Sequence, residues 1–172
     1  LAEAACELGV RRIPDVECNA SGIQLISSMF KLARENSTSD LLCIVNTDML
    51  LMPDFVVAAK QAAKLKDKFV LLSQRWDYEI IAPIEFTEGW GTRLRAQVKT
   101  PGQLHKPAGS DFFIFPLSSY LDIPNFAIGR AGWDNWMIYK ARKEKWPVID
   151  CTPSLMIVHQ NHDYSHLPGG KS

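Results

Sequence analysis

Apolar and polar positions come in blocks along the chain, and each block has the length of one helix or strand. Apolar residues recur at helical spacing over 23–35, which predicts an amphipathic helix. The segment Ser21–Gln24 has the form of a capping box, so this helix is expected to begin there. After the polar turn 36–40, the continuous apolar run 41–45 predicts a strand covered on both faces.

The following segments predict the strand, helix, strand order of a βαβ unit. Pro53 suits the first turn of a helix that continues to about Lys66, because its missing N–H needs no partner there. Residues 69–73 predict a second buried strand, parallel to strand 41–45 and reached by a right-handed crossover. Further strands are predicted at 111–115, 148–151 and 155–159, and a helix at 133–143.

The remaining segments lack a clear period. Residues 75–107 mix tryptophan, proline, glycine and charge, which predicts a long surface excursion of a kind that often carries function. Residues 167–172 are interpreted as a tail. We therefore expect one domain over residues 1–172, and because the start resembles the inside of a helix, we interpret the chain as a partial domain.

Charge and cysteine content narrow the class of partner and the compartment. Nineteen basic residues balance nineteen acidic ones, so no net field favours nucleic acid or an anionic membrane. No run approaches the roughly 18 apolar residues of a membrane span. Cys43 and Cys151 lie in apolar runs and are expected to be buried, reduced thiols, which favours a cytoplasmic location, either free or peripheral to a membrane. The other two cysteines, Cys6 and Cys18, form no C-x-x-C pair with them.

The first candidate for chemistry is the triplet Asn46, Thr47 and Asp48, directly after the apolar run 41–45. Ligands of open α/β sheets bind at the carboxyl ends of the strands. The triplet resembles the Asp-x-Asp element of glycosyltransferases of the A fold, especially the family 2-like members. That resemblance implies a three-layer α/β fold with a mainly parallel central sheet, here truncated at its amino-terminal nucleotide-binding strand.

The same resemblance implies that Asp48 holds a divalent cation, Mn²⁺ or Mg²⁺, against the pyrophosphate of a nucleoside-diphosphate sugar. Both cations prefer oxygen ligands. Asn46 stands where the family has its first aspartate, so we assign it to the donor's ribose or sugar. The structural alternative is an Asx turn that ends the strand.

The second candidate is the segment 128–136, in which a glycine-rich approach precedes Trp133 and Asp134. The resemblance implies that Asp134 is the general base, since an acceptor hydroxyl must lose its proton during attack. Arg130 is expected to assist the leaving diphosphate, and Trp133 and Trp136 to offer flat surfaces for a sugar ring. The alternative is a helix cap followed by tryptophans that pack a core.

The third candidate is the histidine-rich segment that follows the last strand. The resemblance implies a late histidine metal ligand, for which His159 is the first choice and His162 the second. His162 and His166 also have the spacing of two zinc ligands on a helix, although the following proline and glycines disfavour a helix there. Histidines that simply hydrogen-bond within a loop are the third reading.

Three further polar residues follow or open predicted strands. Arg75 is expected to meet phosphate and Asp77 a sugar hydroxyl, while a surface turn explains both residues nearly as well. Asp111 resembles the acid that opens a strand beside the donor sugar in the same family, and a strand-end cap is its alternative.

The order of these motifs over residues 13–166 resembles the glycosyltransferase layout and implies transfer of a sugar from a nucleoside-diphosphate donor to a hydroxyl acceptor on a glycan, lipid or protein. No nucleic-acid partner is expected. Because the nucleotide-binding strand is missing, the chain by itself is not expected to be a complete enzyme. A sugar nucleotidyltransferase and a non-catalytic carbohydrate-binding domain remain alternatives.

Overall fold

The computed structural model describes residues 2–64, 67–107, 110–130 and 132–161. The described helices are α1 (Ala2–Glu7), α2 (Ile26–Glu35), α3 (Asp54–Ala62), α4 (Trp90–Lys99) and α5 (Trp133–Lys143). The described strands are β1 (Leu41–Val45), β2 (Met49–Leu51), β3 (Val70–Leu72), β4 (Trp76–Tyr78), β5 (Gln103–Leu104), β6 (Phe112–Pro116), β7 (Val148–Asp150) and β8 (Ile157–Gln160).

The strands form two mixed sheets of four strands each. The first sheet has the order β1-β6-β3-β7, and β6 runs antiparallel to both of its neighbours while β3 and β7 are parallel. The second sheet has the order β2-β8-β4-β5, in which only the central pair β8 and β4 is parallel. Most pairings between the described strands are therefore antiparallel.

The prediction of a three-layer glycosyltransferase A fold with a mainly parallel sheet is thus wrong. Strands 41–45 and 69–73 were expected to pair as a parallel βαβ unit, but β6 lies between β1 and β3 and pairs antiparallel with each. A short strand, β2, also interrupts the expected step from strand to helix and joins the second sheet. The prediction failed because an apolar run indicates that a strand is buried but does not determine whether the strand pairs in parallel or antiparallel.

Three apolar clusters hold the sheets and helices together. On one face of the first sheet, Phe113 and Phe115 of β6 pack with residues of α2 and α5, including Phe30 and Met137. On its other face, Phe112 and Ile114 pack with α3 and with Ile157 of the second sheet. The outer face of the second sheet is covered by α4, through Leu94 and Val98. Alternating side chains of β6 thus fill two cores at once, since successive residues of a strand point to opposite faces.

Two local predictions also need correction. The capping box at Ser21 does not form: α2 begins at Ile26, and the Asn19 side chain instead accepts the backbone N–H groups of Ser21 and Ile23, at 2.9 and 3.0 Å. Asparagine side chains compete in this way for backbone donors. Cys43 was expected to be buried but is exposed, because β1 is an edge strand of its sheet.

All four cysteines lie in the described part of the chain and are free thiols, with Cys151 half-buried. The tail predicted at 167–172 lies outside the described residues. Among the helices that are described, none is both long enough and apolar enough to cross a bilayer.

Candidate functional site

Polar side chains from both sheets converge where the ends of several strands meet. Asn46 directly follows β1, Arg75 lies between β3 and β4, and Asp111 immediately precedes β6. Since β6 runs antiparallel to β1 and β3, its amino end lies at the same edge as their carboxyl ends. The topology of the first sheet therefore brings these three residues together.

Arg75 links the polar groups of this edge. Its Nε donates to Asp77 Oδ1 at 2.8 Å, and one of its terminal nitrogens donates to Asp111 Oδ2 at 2.5 Å. The Asn46 side chain donates to the other Asp111 oxygen at 2.9 Å. The side chains of Arg75 and Asp111 are only 16% and 11% exposed, so these charged hydrogen bonds are largely shielded from water.

The second sheet contributes Asp48, Asp77 and His159. Asp77 and His159 are direct partners in the β4 and β8 register, and Asp48 immediately precedes Met49, the partner of His159 on the other side. His159 Nδ1 lies 3.0 Å from Asp77 Oδ1, and its Nε2 lies 3.4 Å from Asp48 Oδ2. The His159 side chain is 7% exposed, so it is held between two carboxylates in a nearly dry position.

His105 completes the cluster from the residue after β5. Its Nδ1 lies 2.7 Å from Asp77 Oδ2, and its backbone N–H donates to the carbonyl of Arg75. His105 was not among the residues predicted from the sequence. Its place depends on the pairing of β4 with β5, which brings Trp76 opposite Leu104, and two-residue strands carry almost no pattern of their own.

The environment shifts the pKa values of two members. Burial lowers the pKa of Arg75, but the charges and hydrogen bonds of Asp111 and Asp77 outweigh this effect, so the pKa ends above its ordinary value. Burial raises the pKa of Asp77, but hydrogen bonds from His105 and Arg75 together with their charges bring it below the ordinary value. Asp77 is therefore ionised in the neutral range, and Arg75 is permanently charged.

The cluster has an excess of negative charge. Asp48, Asp77 and Asp111 contribute three carboxylates against the single guanidinium of Arg75, which leaves a formal charge of −2 when the histidines are neutral. Such a site attracts a cation, and carboxylate with imidazole is a ligand set that Mn²⁺ accepts. Within the described residues no three His, Cys, Asp or Glu side chains are arranged to hold a metal ion on their own. A cation between Asp48 and His159 would thus need further ligands, as Mg²⁺ commonly takes from phosphates and water.

The residues predicted around position 130 take part in none of the ion pairs described above. Trp133 is 8% exposed and packs edge-on against Phe113 at 5.7 Å between ring centroids, so the core-packing alternative describes its position. Trp136 likewise packs against Phe126. Asp134 is half-buried in the first turn of α5, and its carboxylate makes no hydrogen bond to any described residue. Arg130 is exposed. Their roles as base and as donor contacts stay predictions.

Two glycines shape the approach to Asp134. Gly129 and Gly132 have φ values of 72° and 111°, a region of backbone conformation that side chains rarely tolerate. The second predicted metal ligand of the late segment, His162, lies outside the described residues, as does His166.

Comparison of the chain with protein-family models, with curated proteins and with solved structures found no match in any of the three.

Proposed function

We propose that this protein is a glycosyltransferase that moves a sugar from a nucleoside-diphosphate donor to a hydroxyl acceptor with the help of a divalent cation. The observation that carries the proposal is the convergence of Asp48, Asp77, Asp111, Arg75 and His159 on one edge shared by the two sheets. These five residues were selected from separate parts of the sequence for this chemistry. A fold can host many activities, so the composition of the site is the relevant support.

The cation is assigned to Asp48 and His159. Their facing atoms are 3.4 Å apart, and the cluster around them carries an excess of negative charge. When bound, such a cation would offset the charge that develops on the departing nucleoside diphosphate. The two protein ligands leave other coordination positions for phosphate oxygens, which suits a site that binds metal and donor together.

Arg75 is assigned a different role from the one its sequence position suggested. Its guanidinium already donates to Asp77 and Asp111, at 2.8 and 2.5 Å, so it is engaged by carboxylates before any phosphate arrives. We assign to Arg75 the task of holding these two acids in place. Asp111, which also accepts from Asn46, then presents a fixed acceptor edge to donor hydroxyls.

The transfer itself forms a bond between the acceptor oxygen and the anomeric carbon and breaks the bond from that carbon to the diphosphate. The electron pair leaves with the diphosphate, and the acceptor proton passes to a base. Asp134 is the candidate base, at the amino end of α5, whose Trp133 packs on the same strand that follows Asp111. Asp134 lies in the first turn of α5, directly after the tryptophan that makes this contact.

The test is a titration of the purified protein, with any natural flanking sequence retained, against Mn²⁺ and a panel of nucleoside-diphosphate sugars. We expect one donor class to bind in a Mn²⁺-dependent manner and to release its nucleoside diphosphate when an acceptor is supplied. Asp48→Asn should weaken Mn²⁺-dependent donor binding at least tenfold. The matched control is Asp54→Asn, which removes a carboxylate of similar exposure that pairs with Arg95 on the helices α3 and α4.

Three results would count against the proposal. Failure of every donor to bind would overturn it, and binding of free oligosaccharides alone would favour a non-catalytic carbohydrate-binding domain. Release of pyrophosphate from a nucleoside triphosphate and a sugar phosphate would identify a nucleotidyltransferase instead. Donor binding that is equal in Asp48→Asn and in the unsubstituted protein would remove Asp48 from the site.

A further inference from the structure

Asp77 contacts more members of the cluster than any assigned role explains. Its Oδ1 receives both Arg75 Nε, at 2.8 Å, and His159 Nδ1, at 3.0 Å. Its Oδ2 lies 2.7 Å from His105 Nδ1. Each oxygen of this carboxylate is thus directed at a nitrogen of the protein, so the group cannot rotate without breaking hydrogen bonds. A residue selected only to touch a sugar hydroxyl would not need this arrangement.

The contact with His159 determines which ring nitrogen carries the proton. In a neutral imidazole one nitrogen donates and the other accepts, and an ionised carboxylate only accepts. For a neutral His159 ring, the contact with Asp77 therefore places the proton on Nδ1 and leaves the lone pair on Nε2. That lone pair faces Asp48 Oδ2 at 3.4 Å. Two acceptor atoms directed at each other become favourable when a cation lies between them.

The separation of the two acceptors agrees with this reading. Ligands at about 2.1 Å from a divalent ion of the Mg²⁺ type, on adjacent octahedral positions, lie about 3.0 Å apart. The observed 3.4 Å is close to that value and long for a charged hydrogen bond, which is usually about 2.7–2.9 Å.

We propose that Asp77 is a positioning residue that fixes His159 as the Nδ1–H tautomer and thereby presents Nε2, beside Asp48, as the second protein ligand of a divalent cation. The inference rests on the proposed function, which supplies the cation. Carboxylates that hold metal-binding histidines in this way commonly contribute tenfold to a hundredfold to metal affinity. Arg75 and His105 hold Asp77 in place and therefore support His159 only indirectly.

The experiment compares Asp77→Ala with Asp77→Asn. Alanine removes every acceptor, so Mn²⁺ affinity should fall about tenfold to a hundredfold. Asparagine keeps one oxygen, which stays with the donors Arg75 and His159 while the amide N–H₂ turns to His105 and His105 adopts its other tautomer. Asp77→Asn should therefore retain Mn²⁺ affinity within about threefold. Binding is measured by Mn²⁺ electron paramagnetic resonance and by calorimetry.

A second readout needs no metal. Nitrogen-15 NMR of the His159 ring in the metal-free protein is expected to show a protonated Nδ1 and an unprotonated Nε2. The same pattern should persist in Asp77→Asn and be lost in Asp77→Ala. Asp54→Ala is the matched control, because the Asp54 carboxylate is 29% exposed against 24% for Asp77 and also pairs with an arginine. It should change neither Mn²⁺ affinity nor the His159 signals.

The outcomes separate the two proposals. Equal Mn²⁺ affinity in Asp77→Ala and the unsubstituted protein, or a His159 ring protonated on Nε2, overturns the positioning role alone. Absence of any Mn²⁺ binding by the unsubstituted protein overturns the cation site and the positioning role together. Sugar transfer is measured separately by the release of nucleoside diphosphate. Loss of affinity in both Asp77 variants, with the tautomer unchanged, would also contradict the inference, because it would indicate a general effect of the charge.

Discussion

The two sheets of this protein have the same number of strands but use their central strands differently. In the first sheet, all five residues of β6 are buried, and four of them are aromatic or aliphatic side chains that fill two cores. In the second sheet, the central strands β4 and β8 place Trp76 and Val158 in a core but direct Asp77 and His159 into the polar cluster.

This difference separates the source of stability from the source of chemistry. Apolar burial needs no particular partner and contributes wherever the packing is good. Buried charges contribute only while each has its counterpart, because desolvation is costly. We therefore expect the apolar cores to respond to changes of volume and the polar cluster to respond to changes of charge, and the following predictions test that expectation.

The largest effect is expected in the core of the first sheet. Phe113→Ala should lower the free energy of unfolding by about 3–5 kcal/mol, because it leaves a cavity among tightly packed aromatic rings. Phe113 is fully buried and contacts Trp133 edge-on. Denaturant unfolding measures the change. Leu121→Ala, at a position that is 71% exposed, is the control and should change stability by less than about 0.5 kcal/mol. Similar losses in the two variants would contradict the assignment of this core.

The next effect concerns the charge balance of the cluster. Arg75→Met should cost about 2–3 kcal/mol, because it leaves Asp77 and Asp111 shielded from water without their counter-charge. Arg75→Lys keeps the charge but loses the forked geometry, so its cost should be smaller. Unfolding at two salt concentrations measures both variants. If Arg75→Met is as stable as the unsubstituted protein, the cluster is not held together by this guanidinium.

Much of the secondary structure follows from local pattern. The helix expected at 133–143 is α5 with the same bounds, and the strand expected at 111–115 is β6, shifted by one residue. Both segments have strong periodicity or a long apolar run. β2 was missed because three apolar residues beyond Asp48 carry no distinctive period, and their partner, β8, lies more than a hundred residues away.

The direction of strand pairing could not be obtained in the same way. Continuous apolar runs are typical of strands buried on both faces, and parallel α/β sheets are the commonest source of such strands. β6 is buried on both faces in an antiparallel setting, because α2 and α5 cover one face while α3 and the second sheet cover the other. The sequence predicts that β6 is buried, but it does not predict which elements cover β6.

In the polar cluster, too, some residues could be predicted from local sequence and others could not. Asp48, Arg75 and Asp111 were selected because they follow or open strands, and the edge that they share brings them together. His105 gave no such signal, since its position depends on the short pairing of β4 with β5. Asp77 was selected for a sugar contact, whereas its partners in the structure are an arginine and two histidines.

A smaller effect is expected from a single buried hydroxyl in the apolar core of the first sheet. Tyr120 is almost fully buried, and its Oη donates to the backbone carbonyl of Met137 at 2.9 Å. Tyr120→Phe should cost about 1 kcal/mol at neutral pH, the usual value of one hydrogen bond.

The same residue predicts a pH dependence. Burial raises the pKa of Tyr120 above its ordinary value of about 10. The folded protein therefore binds this proton more tightly than the unfolded chain. The resulting stability is complete below pH 10 and is lost as the pH rises towards the folded pKa. Unfolding at pH 7 and near pH 11 should show a steeper alkaline loss for the unsubstituted protein than for Tyr120→Phe. Tyr139→Phe, at an exposed position, should leave the alkaline loss of unfolding free energy unchanged.

The smallest effect isolates burial as the variable, because the protein contains a second arginine–aspartate pair of similar geometry. Arg95 on α4 donates to Asp54 on α3 at 2.7 Å, close to the 2.5 Å between Arg75 and Asp111. The side chains of Arg95 and Asp54 are 34% and 29% exposed, two to three times the values for the pair in the cluster. We call Arg95–Asp54 the outer pair and Arg75–Asp111 the inner pair. Water screens the outer pair and solvates either of its partners when the other is removed. Arg95→Met should therefore cost only about 0.2–1 kcal/mol.

A double-mutant cycle with Asp54→Asn measures the coupling of the outer pair directly, and the same cycle with Arg75→Met and Asp111→Asn measures the inner one. We expect the inner coupling to exceed the outer by at least twofold at equal salt, and added salt to reduce the outer coupling more, because exposed charges are the ones that mobile ions reach. Equal couplings with equal salt dependence would mean that the cluster is as accessible to water as the protein surface. In that case the polar cluster would not hold its charge pairs more strongly than the surface does.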